Sequence, residues 1–158
     1  MITDTRDRIV NYIKKSGPAR PHELASFLGI GKVALHRQLR KLEAEGLIIK
    51  EGKAPRVTYR AYDPQQEARR LAEVIKPVLR RYRVSKAELF GSVAYGELKP
   101  ESDVDVLVEL PKGASLFDLG GLYMDLKEVI GRDVDVVPYD SVHHRIRENV
   151  FSKTFKVI

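Results

Sequence analysis

Asp103 and Asp105 stand two apart in an alternating run, Asp103-Val104-Asp105-Val106-Leu107-Val108. Residues two apart in a strand share a face, so both carboxylates point the same way with Cα atoms roughly 6.5 Å apart. Val104, Val106 and Val108 then face a core. Carboxylates so placed can converge on divalent cations, and two-metal sites need ligands that bridge ions about 3.5–4 Å apart. A second acidic run, Asp133-Val134-Asp135-Val136-Val137, stops at Pro138 and predicts another strand. Upstream, Ala87-Glu88-Leu89-Phe90 predicts a short buried strand that ends at Gly91-Ser92. Singly these signals are weak: a lone Asp-x-Asp is more often a solvated edge, and Gly-Ser after a strand is usually a turn. Their order carries the information. A strand, Gly-Ser, a short glycine-containing stretch, paired Asp on the next strand and a further Asp on a third form one constellation.

Nothing else in the chain competes with it. There are no cysteines, which excludes a thiol nucleophile, a disulfide framework and a Cys-based zinc site. His143-His144 follow a Pro-Tyr-Asp-Ser turn, have no third ligand nearby, and fit a helix start better than a metal site. Neither a P-loop nor a nucleophile elbow is present. Tyr95 and Tyr139 flank the constellation as candidates for stacking on a base. Ser115 and Asp118 form a capping box that opens a helix to about Ile130, despite Gly120-Gly121.

The run GSVAYGELKPESDVDVLV resembles the DNA polymerase beta nucleotidyltransferase superfamily, whose signature is Gly-Ser, Asp-x-Asp and a distal Asp. It is especially similar to the minimal nucleotidyltransferases, small prokaryotic members, over about 85–158. The resemblance implies that Gly91 and Ser92 hold the β- and γ-phosphates of an NTP, expected to be ATP. Asp103 and Asp105 would bind two Mg²⁺. Asp135 matches the third carboxylate, which helps bind one metal and can accept the proton of the attacking hydroxyl. Asp133 lies off the family position and is taken as structural. Val93 stands where many members have Arg, which removes one phosphate contact.

The first 62 residues have a different character. They carry 13 Lys/Arg against 6 Asp/Glu, a balance of +7, whereas residues 63–158 carry 15 against 16. The whole basic excess lies in the N-terminal part, the footprint of a nucleic-acid contact. Ile9, Val10 and Ile13 predict a helix over 5–15, Leu24, Ala25 and Leu28 a second from Pro21, and Leu35, Leu39 and Leu42 a third over about 32–45. Leu47-Ile48-Ile49 and Val57-Thr58-Tyr59 then flank a turn at 51–55, a hairpin pattern. This order resembles a winged helix-turn-helix over most of 5–62. Gly31 replaces the usual Ser or Thr N-cap of the third helix, a tolerable cap. Opposite the leucine stripe, Val33, Arg37, Arg40 and Ala44 form a groove face flanked by Lys32, His36 and Lys41, suited to base edges. Lys53 and Arg56 in the wing can reach phosphates.

Asp63-Pro64 is a helix start, and Leu71, Val74, Val78 and Tyr82, with Ile75 and Leu79 beside them, form a stripe up to about Arg83. Pro77 should kink or divide this helix. Its stripe must be covered by the C-terminal sheet or by a second copy of the chain, so a homodimer stays open. The expected class is therefore α+β: a winged helix-turn-helix domain (1–62), a linker helix (63–84), and an α/β nucleotidyltransferase-fold domain (85–158) with a small mixed sheet.

The expected activity is Mg²⁺-dependent transfer of a nucleoside monophosphate to a hydroxyl. In the minimal family, HEPN partners are neutralised toxins, and the acceptor can be a partner tyrosine, so the resemblance implies an antitoxin-like role. The expected partners are double-stranded DNA through the winged helix and a HEPN-like acceptor protein. Residues 85–158 leave no room for a polymerase's template-binding domains, so a partner, a second subunit or the DNA-bound complex must present the acceptor. The alternative is a transcriptional regulator whose C-terminal domain binds nucleotide or a partner without turnover. No run approaches the ~18 apolar residues of a membrane span, and the start lacks a signal-peptide core. With no cysteines, the expected location is the cytoplasm.

Overall fold

A computed structural model describes residues 4–158, the side chains of 150 and 151 excepted. The chain divides into two compact units, one ending at Asp63 and the other starting at Pro64.

In the first unit, helix α1 (Thr5–Ser16) buries Ile9 and Ile13, and Gly17 closes it by donating to the Ile13 carbonyl at 2.9 Å. Helix α2 (Pro21–Leu28) starts on proline, whose missing N–H costs nothing at a first turn. The Glu23 carboxylate accepts the Arg20 N–H at 2.9 Å. Helix α3 (Lys32–Ala44) buries Leu35, Leu39 and Leu42, and Gly31 enters it in extended backbone with no side-chain cap. Strands β1 (Ile48–Glu51) and β2 (Thr58–Ala61) pair antiparallel, Ile48 opposite Ala61. They lie one or two residues beyond the predicted runs, because pairing rather than apolar content sets the ends. Ala19 exchanges two backbone hydrogen bonds with Tyr59, at 2.8 and 2.9 Å, and so pins the hairpin to the α1–α2 connection. Leu24, Ile48 and Tyr59 complete this core.

In the second unit, helix α4 (Pro64–Arg81) is followed by β3 (Lys86–Phe90), β4 (Val104–Glu109), α5 (Leu116–Ile130), β5 (Val134–Pro138), α6 (His144–Phe151) and β6 (Phe155–Lys156). The sheet order is β5-β4-β3-β6. Strand β3 pairs antiparallel with β4 and β6, and β4 pairs parallel with β5 through the α5 crossover. The sheet is mixed, as expected. Asp103 lies one residue ahead of β4, not inside it.

Helix α4 belongs to this unit. Ala68, Leu71, Ala72, Ile75, Val78 and Leu79 join one core with Ala87, Leu89, Val104, Val106 and Val108 of the sheet and Leu122 and Leu126 of α5. Each large side chain so buried contributes roughly 1.5–3 kcal/mol. The sheet and α5 therefore cover the stripe that the sequence left unpartnered, and the stripe centres on Leu71, Ile75 and Val78, with Val74 only partly covered. Pro77 does not divide the helix. Its ring is exposed. Tyr82 packs so tightly on α5 that a Cβ at Gly121 would sit 2.8 Å from its hydroxyl, and that hydroxyl donates to Asp125 at 2.7 Å. Among the described residues no helix is long and apolar enough to cross a membrane.

Candidate functional site

The mixed sheet turns Val104, Val106 and Val108 towards the helices, so the alternate residues of β4 face the other way. Register then decides what meets on that second face. Asp105 stands opposite Phe90 of β3 and beside Asp135 of β5. Asp103 lies two residues earlier, exposed. Burial of Asp105, then the charge of Asp135 and the sharing of a proton with it, then the charge of Asp103 push its pKa from 3.8 to about 6. Asp133, exposed, lies 3.5 Å from the Lys127 ammonium.

Strand β3 runs into a 3-10 turn, Gly91–Val93. Gly91 holds φ +68°, and a Cβ there would collide with the Asp105 carboxylate. Glycine is needed twice over, for the left-handed backbone and for the close approach. The Gly-Ser turn and the acidic face are thus in direct van der Waals contact. Val93 is buried in the core, so a side chain at that position points away from this face.

The loop from the turn to Asp103 is anchored. Lys99 and Ser102 exchange hydrogen bonds, Lys99 N–H to Ser102 Oγ at 2.9 Å and Ser102 N–H to the Lys99 carbonyl at 3.1 Å. Arg132 donates to the Lys99 and Pro100 carbonyls at 3.0 and 2.6 Å. Its other nitrogen lies 3.6 Å from the buried carboxylate of Glu67, which Arg70 also holds, at 2.7 Å. A buried charge needs partners of this kind. Neither Arg132 nor Glu67 carries a sequence signal, because their partners are distant along the chain.

Oxygen-only donors of this sort suit a hard cation such as Mg²⁺, and the neighbouring charges of Asp135 and Asp103 that raise the Asp105 pKa mark a place where positive charge is wanted. The residues therefore fit the metal that the motif implies. Among the described residues no three acidic or imidazole groups converge on one point: Asp105 and Asp135 stand side by side, and Asp103 is exposed two residues earlier. His143 instead caps α6, its Nδ1 accepting the Arg145 N–H at 3.3 Å. Tyr139 is committed to Glu88, to which its hydroxyl donates. Tyr95 is half-exposed beside the turn, with Lys153 over its ring.

In the first unit, Lys32, Val33, His36, Arg37, Arg40 and Lys41 all line one groove of about 1360 Å³, which the wing residues Ala54, Pro55 and Val57 close. Lys53 and Arg56 lie on the wing but not on the groove wall. The groove adds Arg20, His22 and Lys50, which sequence reasoning missed. The start of α2 was a usable signal for the first two, since helix N-termini and flanking cations attract phosphate.

Residues 71–157 match the family model described as a nucleotidyltransferase domain, and residues 2–56 match that of the MarR family. A candidate protein adenylyltransferase of Methanocaldococcus jannaschii is 40% identical over 84 residues, 53% of this chain and 90% of that protein. Protein adenylyltransferase MntA of Thermococcus cleftensis is 33% identical over 82 residues, 52% of this chain and 83% of that one. A solved structure of a candidate minimal nucleotidyltransferase superposes with a TM-score of 0.51 at 31% identity, covering 60% of this chain and 95% of its own. The chain therefore belongs to the nucleotidyltransferase domain family and carries a MarR-family winged helix ahead of that domain.

Proposed function

We propose that this nucleotidyltransferase moves a nucleoside monophosphate from ATP to a hydroxyl on a protein partner, while its winged helix binds double-stranded DNA. One observation carries the first half: the Gly91-Ser92 turn touches the Asp105 carboxylate, which is flanked by Asp103 and Asp135. A phosphate held at the turn lies beside the carboxylates that would hold Mg²⁺. The bound ions would neutralise phosphate charge and lower the cost of bringing an attacking oxygen to phosphorus. The turn at Gly91 and Ser92 orients the polyphosphate. Asp103, Asp105 and Asp135 hold the metal ions, and Asp135, exposed at its edge of the sheet, is placed to accept the proton of the acceptor hydroxyl. The protein adenylyltransferase names of its relatives support a protein acceptor. A tyrosine on a HEPN-like toxin is the acceptor that fits an antitoxin-like role.

The test is label transfer. The full chain with α-labelled ATP, Mg²⁺ and a lysate of its source should label a protein, and Asp105→Asn should not. ATP binding with no pyrophosphate released above stoichiometric amounts would refute transfer and favour the regulator without turnover. Val93, uncharged and buried in the core, is the observation on that side.

The DNA half rests on the groove between α2, α3 and the wing, whose walls carry Arg20 just ahead of α2, Lys32, Arg37, Arg40 and Lys41 of α3, and Lys50 of β1. Arg37 and Arg40 present guanidinium forks to base edges, while Arg20, Lys50, Lys53 and Arg56 serve phosphates.

A further inference from the structure

Asp103 ends the stretch that joins the Gly-Ser turn to β4. An Asp side chain is short, so its reach is set by where its Cα stands. Two neighbouring residues of the turn between α5 and β5 hold that place. The Asp133 carbonyl accepts the Val104 N–H at 2.9 Å, one residue after Asp103. Arg132 Nη1 donates to the Lys99 and Pro100 carbonyls at 3.0 and 2.6 Å. The hydrogen bonds between Lys99 and Ser102 carry that grip to the residue before Asp103. Asp135 follows in the strand that this turn begins. One short segment therefore carries one carboxylate of the site and clamps the backbone on both sides of another.

Arg132 does not act here by its charge. Its side chain is 14% exposed, and Nη2 lies 3.6 Å from the buried Glu67 carboxylate. That nitrogen makes no hydrogen bond among the described residues, so Glu67 aims the guanidinium by charge and neutralises it. The planar fork turns one nitrogen to the acid and the other to the two carbonyls.

We propose that Arg132 is a positioning residue of the metal site, setting where Asp103 stands against Asp105 and Asp135; the inference rests on the metal-dependent transfer proposed above. Mg²⁺ tolerates little departure from octahedral geometry at about 2.0–2.1 Å, so a loosened ligand is felt as lost affinity. Partners that orient the ligands of a metal are typically worth about 10–100-fold in affinity.

Titration of the full chain with Mn²⁺, the free ion followed by its EPR signal, tests this. Arg132→Met keeps an apolar stem, removes the fork, and should weaken Mn²⁺ by about tenfold. Tyr82→Phe is the control for lost stability: it gives up the bond to Asp125, shares no partner with Arg132, and should bind Mn²⁺ within about twofold of wild type. Asp103→Asn supplies the arm that a merely structural role would not satisfy. Because Arg132 acts through Asp103, adding Arg132→Met to Asp103→Asn should weaken Mn²⁺ no further. Wild-type affinity in Arg132→Met overturns the role, and so does an equal loss in Tyr82→Phe or additive losses in the double variant. Should Arg132→Met fail to fold, Arg132→Met combined with Glu67→Gln removes the stranded buried charge and takes its place in each arm. The underlying reading fails separately. If the wild type binds Mn²⁺ but labels no protein, and Arg132→Met loses that binding, the positioning role stands without the transfer. If the wild type labels a protein and Arg132→Met binds Mn²⁺ as tightly, the transfer stands and the role falls. If Mn²⁺ does not bind the wild type, the role falls.

Discussion

Replacing Asp105 with Asn removes a charge and keeps the shape, and its effect on stability should reverse with metal. In chelator the folded state holds the Asp105 proton more tightly than an unfolded chain does, since its pKa rises from 3.8 to about 6. The sign follows from linkage. Below pH ~4 the group is protonated in both states and its stabilising preference is complete. As pH climbs through about 6 that preference is lost, and at pH 7 the carboxylate strains the fold. Taken whole, the rise corresponds to ~3 kcal/mol at ~1.4 kcal/mol per tenfold change in proton affinity. The side chain is only half-buried, and solvent screening on its open side reduces this to about 1 kcal/mol. For a unit of this size that is a change in melting temperature of about 4–8 °C. Asp105→Asn in chelator should therefore melt above wild type at pH 7.5 by several degrees and match it at pH 4. With Mg²⁺ the order should invert, because only the wild type gains from cation binding to its native state. The assay is thermal denaturation followed by circular dichroism, with the difference between the two proteins taken at each pH. Asp105→Asn melting below wild type in chelator at pH 7.5 would refute the repulsion argument.

Other outcomes follow from the same geometry. Gly91→Ala should lose ~1–3 kcal/mol of stability, from the left-handed backbone and the collision with Asp105, and should lose ATP-analogue binding in a titration of the folded fraction. Glu67→Gln should cost about 2 kcal/mol by chemical denaturation, less than a fully enclosed pair because Arg70 is largely exposed. Arg37→Ala should weaken sequence-specific DNA binding by about 1–3 kcal/mol in anisotropy titrations. Lys50→Ala should weaken binding to all sequences alike and flatten the salt dependence.

What the sequence made legible was what is periodic or contiguous. Val104, Val106 and Val108 alternate with acids, and a strand buried on one face enforces that alternation, so the placing of Asp105 followed from local pattern. The Ser115–Asp118 box likewise appears as read, with the Asp118 N–H donating to Ser115 Oγ at 3.2 Å. What escaped depends on distant partners. The stripe of α4 announced that it needed cover, but an amphipathic helix does not name what covers it. Strand β6 is two residues long and exists only because Phe155 lies beside Leu89. Helix α6, HRIRENVF, is only eight residues long, and the sequence marked its start at His143-His144 but not its extent. Arg132 and Glu67 meet across 65 positions of chain, and no local pattern encodes such a meeting.

The place of β6 also sets a schedule. Beyond its pairing with β3, Ala87 donates to the Ile158 carbonyl at 3.1 Å and accepts from Val157 at 3.0 Å. The sheet beneath Asp105 is thus completed by residues 155–158, far along the chain from the compact unit that ends at Asp63. Ribosomes add roughly 5–20 residues per second, and domains fold as units in order of emergence. The winged helix can be finished roughly 5–20 s before the transferase sheet closes. On a nascent chain the winged helix therefore matures first, and the transferase sheet must wait for the segment that seals β3.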